Sequence, residues 1–210
     1  MPRSHCIGRL FGSAALAGAL LASGCAAPGM PRGATEESVA PAAVQARYDD
    51  AQRALEREQF DAARSAFLAL SREHPEYSGP FRQLALIAWK AGEHEAALGY
   101  LEAASDVCGD CAPVLAEIGV LRRESGDFDG AEQAYLAALE ADPGYADAHF
   151  NLAVLNDLYR QRPRLAVAHY EHYLALSPEE PDAPQIRAWV ADLERRSQAA
   201  AETAQRSAHP

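Results

Sequence analysis

The sequence predicts an all-α protein: an array of stacked helix–turn–helix units closed by one further helix. Three observations carry that expectation. Alanines recur at Ala63, Ala97, Ala131 and Ala166, at intervals of 34, 34 and 35 residues. A large apolar residue stands four places after each: Phe67, Leu101, Tyr135 and Tyr170. Eight places later comes a helix terminator, Pro75, Gly109, Pro143 or Pro178. A period of this length, with helical spacing inside it, marks a repeat of one supersecondary unit that buries its apolar face only by stacking on its neighbours.

The chain opens differently. Arg3 and Arg9 precede an apolar stretch, Leu10 to Ala22, that suits the core of a cleaved signal and is too short for a stable span. Leu21-Ala22-Ser23-Gly24-Cys25 follows. This run resembles the lipobox of bacterial lipoproteins. The resemblance implies removal of residues 1–24 and lipidation of Cys25, which becomes the first residue of the mature chain. Residues 25–43 then form a tether: Gly29, Pro31, Gly33, Ser38 and Pro41 recur, and large apolar residues are almost absent.

Four units follow, at residues 44–77, 78–111, 112–145 and 146–180. The third has the fullest pattern: Leu115-x2-Ile118-Gly119, then Gly126-Asp127-Phe128, then Ala131-x3-Tyr135-x2-Ala138-Leu139 and Pro143. The second carries Phe81-x2-Leu84-Ala85, Gly92 and Ala97-x3-Leu101-x2-Ala104. The first is expected to lack one residue in its turn. The fourth carries His149 where a large apolar residue is usual, and Pro163 in its turn. Each unit accommodates two helices of about thirteen residues, near 20 Å long. Small residues at Ala85, Gly119 and Ala153 let the paired helices approach. After Pro181 and Pro184, Ile186, Trp189, Val190 and Leu193 form one apolar stripe, the mark of a capping helix over residues 181–205 with Trp189 in the core. Beyond Arg196 the alanine-rich tail is expected to fray.

This pattern resembles the tetratricopeptide repeat (TPR) family. The fourth unit and cap, Asn151-Leu152-Ala153 through Asp157-Leu158-Tyr159 to Ala188-Trp189-Val190-Ala191-Asp192-Leu193, are also similar to TPR proteins encoded beside TonB-type energy-coupling systems. The TPR resemblance implies a concave groove lined by the first helix of each unit. Carried over, the groove residues are Arg53 and Arg57 with Asp49; Arg82, Leu86, Trp89 and Lys90; Val120 and Arg123 with Glu124; and Phe150 and Val154 with Asp157 and Leu158. Arg82, Trp89, Lys90 and Arg123 are expected to be the principal contacts. Leu86 and Val120 stand where the asparagines of a carboxylate clamp would be wanted, which argues against a chaperone-tail receptor.

Charge and composition exclude other classes. The formal charge of −11 becomes −13 once Arg3 and Arg9 are removed with the signal, and such acidity disfavours nucleic acid and charge-driven adhesion to anionic lipid. No nucleophile elbow, phosphate loop, HExxH or dinucleotide turn is present, so no catalytic residue, cofactor, metal or small-molecule substrate is expected. Cys108-Gly-Asp-Cys111 sits between the second and third units, where the usual proline is missing. A disulfide that fixes the turn, a redox pair, half of a metal site and two free thiols are all compatible with it. His169-x2-His172, with His149 nearby, reads as helix surface.

The expectation is therefore a lipid-anchored scaffold at the outer membrane, facing the periplasm. It would bind a protein segment in its groove in the service of a TonB-type, pilus, secretion or gliding machine. A regulator of an envelope enzyme, a peptidoglycan-linked adaptor, and a redox or metal protein using Cys108 and Cys111 are the alternatives.

Overall fold

The computed structural model describes residues 41–109 and 111–208. Cys25, the signal and most of the tether lie outside these. Among the described residues there are nine α-helices and no strand: α1 (Ala42–Glu56), α2 (Phe60–Glu73), α3 (Ser78–Lys90), α4 (His94–Cys108), α5 (Ala112–Glu124), α6 (Phe128–Ala141), α7 (Ala146–Val154), α8 (Pro163–Leu176) and α9 (Ala183–Ala208). A π-turn, Leu155–Tyr159, continues α7. The helices pair as α1/α2, α3/α4, α5/α6 and α7/α8, each pair packs on the next, and α9 closes the C-terminal end against α8. This is the solenoid expected from the repeat.

The recurring alanines are where helices touch. Ala63, Ala97, Ala131 and Ala166 are each fully buried, and so are Phe67, Leu101, Tyr135 and Tyr170 four residues on. The core is distributed along the stack, one apolar cluster per junction, as a solenoid requires. Gly119 shows why a small residue is needed. A Cβ there would lie 2.4 Å from Cε1 of Tyr135, well inside van der Waals contact. The second helices stop at or just before their terminators: α2 at Glu73, α6 at Ala141 and α8 at Leu176, each shortly before a proline.

The turns within the units share one device. Glu58, Gly92, Gly126 and Gln161 all have positive φ, and each lies five residues before its unit's alanine. The first unit does not lack a residue in its turn: three residues separate α1 from α2, just as three separate α3 from α4 and α5 from α6. What differs is that Glu58 occupies the left-handed position that glycine holds in units two and three. The fourth unit does carry an extra residue, which accounts for the interval of 35, and the π-turn takes it up. Asn156, 1 % exposed, sits in that turn. Its Nδ2 donates to Leu152 O at 2.8 Å, while its Oδ1 has no protein partner.

Two boundaries move. Helix α1 begins at Ala42, so the end of the expected tether is helical and Val44 is buried. The C-terminal helix extends to Ala208, past Arg196; alanine has the highest intrinsic helix propensity and continues a helix already nucleated. Trp189, half-buried on α9, packs against the core cluster under that helix, its ring 6.0 Å from that of Tyr170.

Candidate protein-binding groove

The first helices of successive units lie side by side, and residues about one repeat apart face each other across the junction. Tyr48 and Gln83 meet this way: Gln83 Nε2 donates to the Tyr48 hydroxyl at 3.1 Å. One unit on, Arg82 and Glu117 repeat the geometry. Both nitrogens of the Arg82 fork bond Glu117, Nε at 3.1 Å to Oε2 and Nη2 to Oε1. Only 8 % of the Glu117 side chain is exposed, against 32 % for Arg82. Burial raises the Glu117 carboxyl above its ordinary value despite the pull of the guanidinium. The pair is a structural staple between units two and three.

Arg123 is likewise internal. It is 7 % exposed. Its Nε donates to the Tyr135 hydroxyl at 3.4 Å, its Nη1 to the Tyr159 hydroxyl at 3.3 Å, and its Nη2 pairs with Glu124 at 3.2 Å. The guanidinium also stands 5.6 Å from the centre of the Tyr159 ring, within cation–π range. Burial pushes the Tyr135 phenol up to about 12, so it remains a neutral acceptor for Arg123.

Five residues expected in the groove are therefore corrected. Arg82 and Arg123 are bonded within the fold and are not the principal contacts. Val120 and Val154, 4 % and 5 % exposed, are core. Phe150 packs beneath the cap, its ring 6.1 Å from Tyr170 and 5.3 Å from Tyr173. Val120, Arg123 and Val154 are buried, whereas Arg82 and Phe150 are half-buried and are engaged by neighbouring side chains of the fold. Lys90, Arg53 and Arg57 are exposed, and Leu86 and Trp89 are half-buried. Arg53 pairs with Asp50 on its own helix. What the structure leaves for a partner centres on unit two: Leu86, Trp89 and Lys90, which fall on one face of α3. The exposed Leu158, expected at the far side, lies in the π-turn.

Sequence reasoning missed Glu117 and Tyr159. A signal for Glu117 was available. Complementary polar residues separated by one repeat plus one position, 48 with 83 and 82 with 117, face each other across a unit junction.

Cys108 and Cys111 are joined by a disulfide, with Cα atoms 5.8 Å apart. Cys108 ends α4, Gly109 follows with φ of 58°, and Cys111 caps α5. The bridge spans the turn between units two and three, where the other junctions carry proline. The three histidines also come together, at the α7/α8 pair. Among the described residues no group of three or more His, Cys, Asp or Glu is placed to hold a metal ion, and no helix is long and apolar enough to cross a membrane.

Comparisons with known proteins agree with this geometry. Residues 48–106 match a family model described as tetratricopeptide repeat, and residues 119–156 match a second described as TPR repeat. The fold is a tetratricopeptide-repeat solenoid. Among solved structures, PilF of Pseudomonas aeruginosa aligns with a TM-score of 0.65 at 21 % identity, over 78 % of this chain and 72 % of that one. A thermophilic TPR protein of Thermus thermophilus aligns at 0.60 and 24 % identity, over 71 % and 80 % of the two chains. YrrB, described as a TPR protein with an unusual peptide-binding site, aligns at 0.55 and 23 % identity, over 70 % and 75 %. No curated protein sequence matches. These identities speak to the fold alone.

Proposed function

We propose that this TPR protein is a lipid-anchored adaptor of the bacterial envelope that grips a segment of a partner protein along α3 and the neighbouring first helices. The observation that carries the reading is the contrast within the groove. Arg82 and Arg123 are spent on internal bonds, whereas Leu86 and Trp89 remain partly open beside the exposed Lys90. Tryptophan is among the residue types that most often anchor interfaces. The apolar pair would take an apolar side chain of the partner, and Lys90 would favour an acidic flank.

The lipobox-like run at Cys25 supports membrane attachment, with the acyl chains as anchor because the mature charge of −13 offers none. The Cys108–Cys111 bridge suits an oxidising compartment such as the periplasm. Ala26 follows the modified cysteine, and the lack of an aspartate there favours the outer membrane. Service to an envelope machine, of TonB, pilus, secretion or gliding type, is the role such an adaptor would fill.

Crosslinking in intact cells tests this. A photoreactive residue at position 89 should capture a partner, whereas one at Leu136, exposed on α6, should not. Trp89→Ala with Lys90→Glu should abolish capture while circular dichroism and melting stay unchanged. Retained capture by that folded variant would place the binding site elsewhere. Cys25→Ala should leave an uncleaved precursor or a form lost from membranes; normal processing and recovery would remove the anchor from the reading.

A further inference from the structure

His149 occupies the register that Phe81 and Leu115 hold in units two and three, so a titratable ring stands where the repeat wants an apolar one. It is 8 % exposed. Both of its ring nitrogens are engaged. Nε2 lies 3.2 Å from the carbonyl oxygen of Pro143, and Nδ1 lies 3.2 Å from Nδ1 of His169. A carbonyl can only accept, so Nε2 must carry the proton. Nδ1 of His149 is then a bare acceptor, and Nδ1 of His169 must be the donor. The tautomers of both rings follow from this one contact. His172 stacks on His149, the ring centres 4.8 Å apart and the planes 22° apart.

We propose that His149, His169 and His172 form a proton-operated latch that holds α7 to α8 at neutral pH and loosens the fourth unit in mild acid. A proton on Nδ1 of His149 converts it from acceptor to donor. With one proton on the pair His169 can still accept, by carrying its own proton on Nε2. Once both rings are protonated, two Nδ1–H groups face each other at hydrogen-bond distance with no acceptor between them, and a cation stands against the His172 ring. A single proton on the pair is tolerated, at Nε2 of His169 or shared along the Nδ1–Nδ1 contact; the second proton, which leaves His149 and His169 both charged, is the step that breaks it.

The surrounding charges do not relieve it. From α6, Glu132 bears on His169 across the junction, but it is held by Arg162 at 2.8 Å and Arg160 at 3.5 Å. From the α6–α7 connection the Pro143 carbonyl favours His149 as a donor at Nε2 only. From α8 the facing groups are His169 and His172 themselves. Helix α9 packs on α8 through Trp189, Ile186 and Leu193 and brings apolar groups.

The direction of titration agrees with the geometry. Burial lowers His149 below its ordinary value, outweighing the Pro143 carbonyl, which favours the charged ring, with His172 adding to the lowering; burial with the two neighbouring rings lowers His169. Lowered values mean that the unfolded chain binds more protons. The latch is then at full strength above the unfolded value of about 6.5 and is lost progressively as pH falls below it.

Hydrogen–deuterium exchange of the purified protein between pH 7.5 and 5.0, corrected for the intrinsic rate, tests the latch. Amides of α7 and α8 should lose protection as pH falls, by at most roughly tenfold per pH unit for each differential proton, while those of α3 to α6 stay level. His149→Leu, which restores the apolar residue of the repeat, should leave a smaller acid response in the α7–α8 amides, that of His169 alone. An equal acid response in wild type and His149→Leu, or none in the wild type, overturns the proposal. Nitrogen-detected imidazole spectra of the wild type give a second reading that needs no variant. Protonation of His149 at Nε2 at pH 7.5 is expected, and protonation at Nδ1 overturns the assignment.

Discussion

Gly119 and Tyr135 meet so closely that one methyl group decides the packing of the third unit. The Tyr135 ring is fully buried, and its hydroxyl is tied to Arg123, so it has little room to yield. Gly119→Ala would ordinarily gain up to about 1 kcal/mol of helix propensity. Here overpacking outweighs that gain, and a net loss of roughly 1–2 kcal/mol is expected in urea unfolding. Unchanged stability would mean that the ring shifts freely. Arg82 makes a second test at the same scale. Arg82→Ala strands Glu117, of which 8 % of the side chain is exposed, and should cost roughly 2–3 kcal/mol, below the range for fully buried pairs because Arg82 itself is partly solvated. Removing both partners should cost less than removing Arg82 alone. If the single and double variants are equally stable, the pair is not a staple.

At the scale of elements, four turns use one backbone state and only two use glycine for it. Glu58 and Gln161 have φ of 59° and 53°, where an L side chain is strained. Glu58→Gly and Gln161→Gly should each stabilise the protein by up to about 1 kcal/mol, partly offset by the freer unfolded chain. Gly92→Ala and Gly126→Ala should do the opposite. Thermal melts of the four variants check the set, and a common sign across them would show that backbone strain is not the governing term. Between units two and three, the Cys108–Cys111 bridge closes a loop so short that Cys108→Ser with Cys111→Ser should cost at most about 2 kcal/mol. Loss of partner capture with unchanged melting would instead assign those sulfurs a chemical role.

At the scale of the whole molecule, stability passes from neighbour to neighbour. The C-terminal end is covered by α9, whose Ile186 and Leu193 are buried against the α7/α8 pair, and Arg196 reaches towards Asp157 of the π-turn at 3.8 Å. Truncation after Glu180 would uncover Tyr170, Tyr173 and Phe150. Because each unit touches only its neighbours, that truncation should expose the amides of α7 and α8 to exchange while α1 to α4 keep their protection. Uniform loss along the array would show that the units fold as one cooperative block.

The period of 34 residues, the helix terminators and the single apolar stripe of α9 were enough to determine the fold class, the number of units and the buried alanines. Each is a local rule: a helix needs its apolar face at fixed spacing, and a proline ends it wherever it occurs. Tertiary structure alone decided which inward side chains stay available. Arg82 and Trp89 sit on the same helix with similar register, and nothing local separates them. Glu117, 35 residues away in sequence, claims Arg82, and among the described residues none claims Lys90 in the same way. For His149 the neighbourhood of His169 and His172 was legible in the sequence, but the three read as helix surface; packing of α7 on α8 is what buried the His149 ring between its partners. Local sequence sets where a side chain points; the packing of the next unit determines what it meets there.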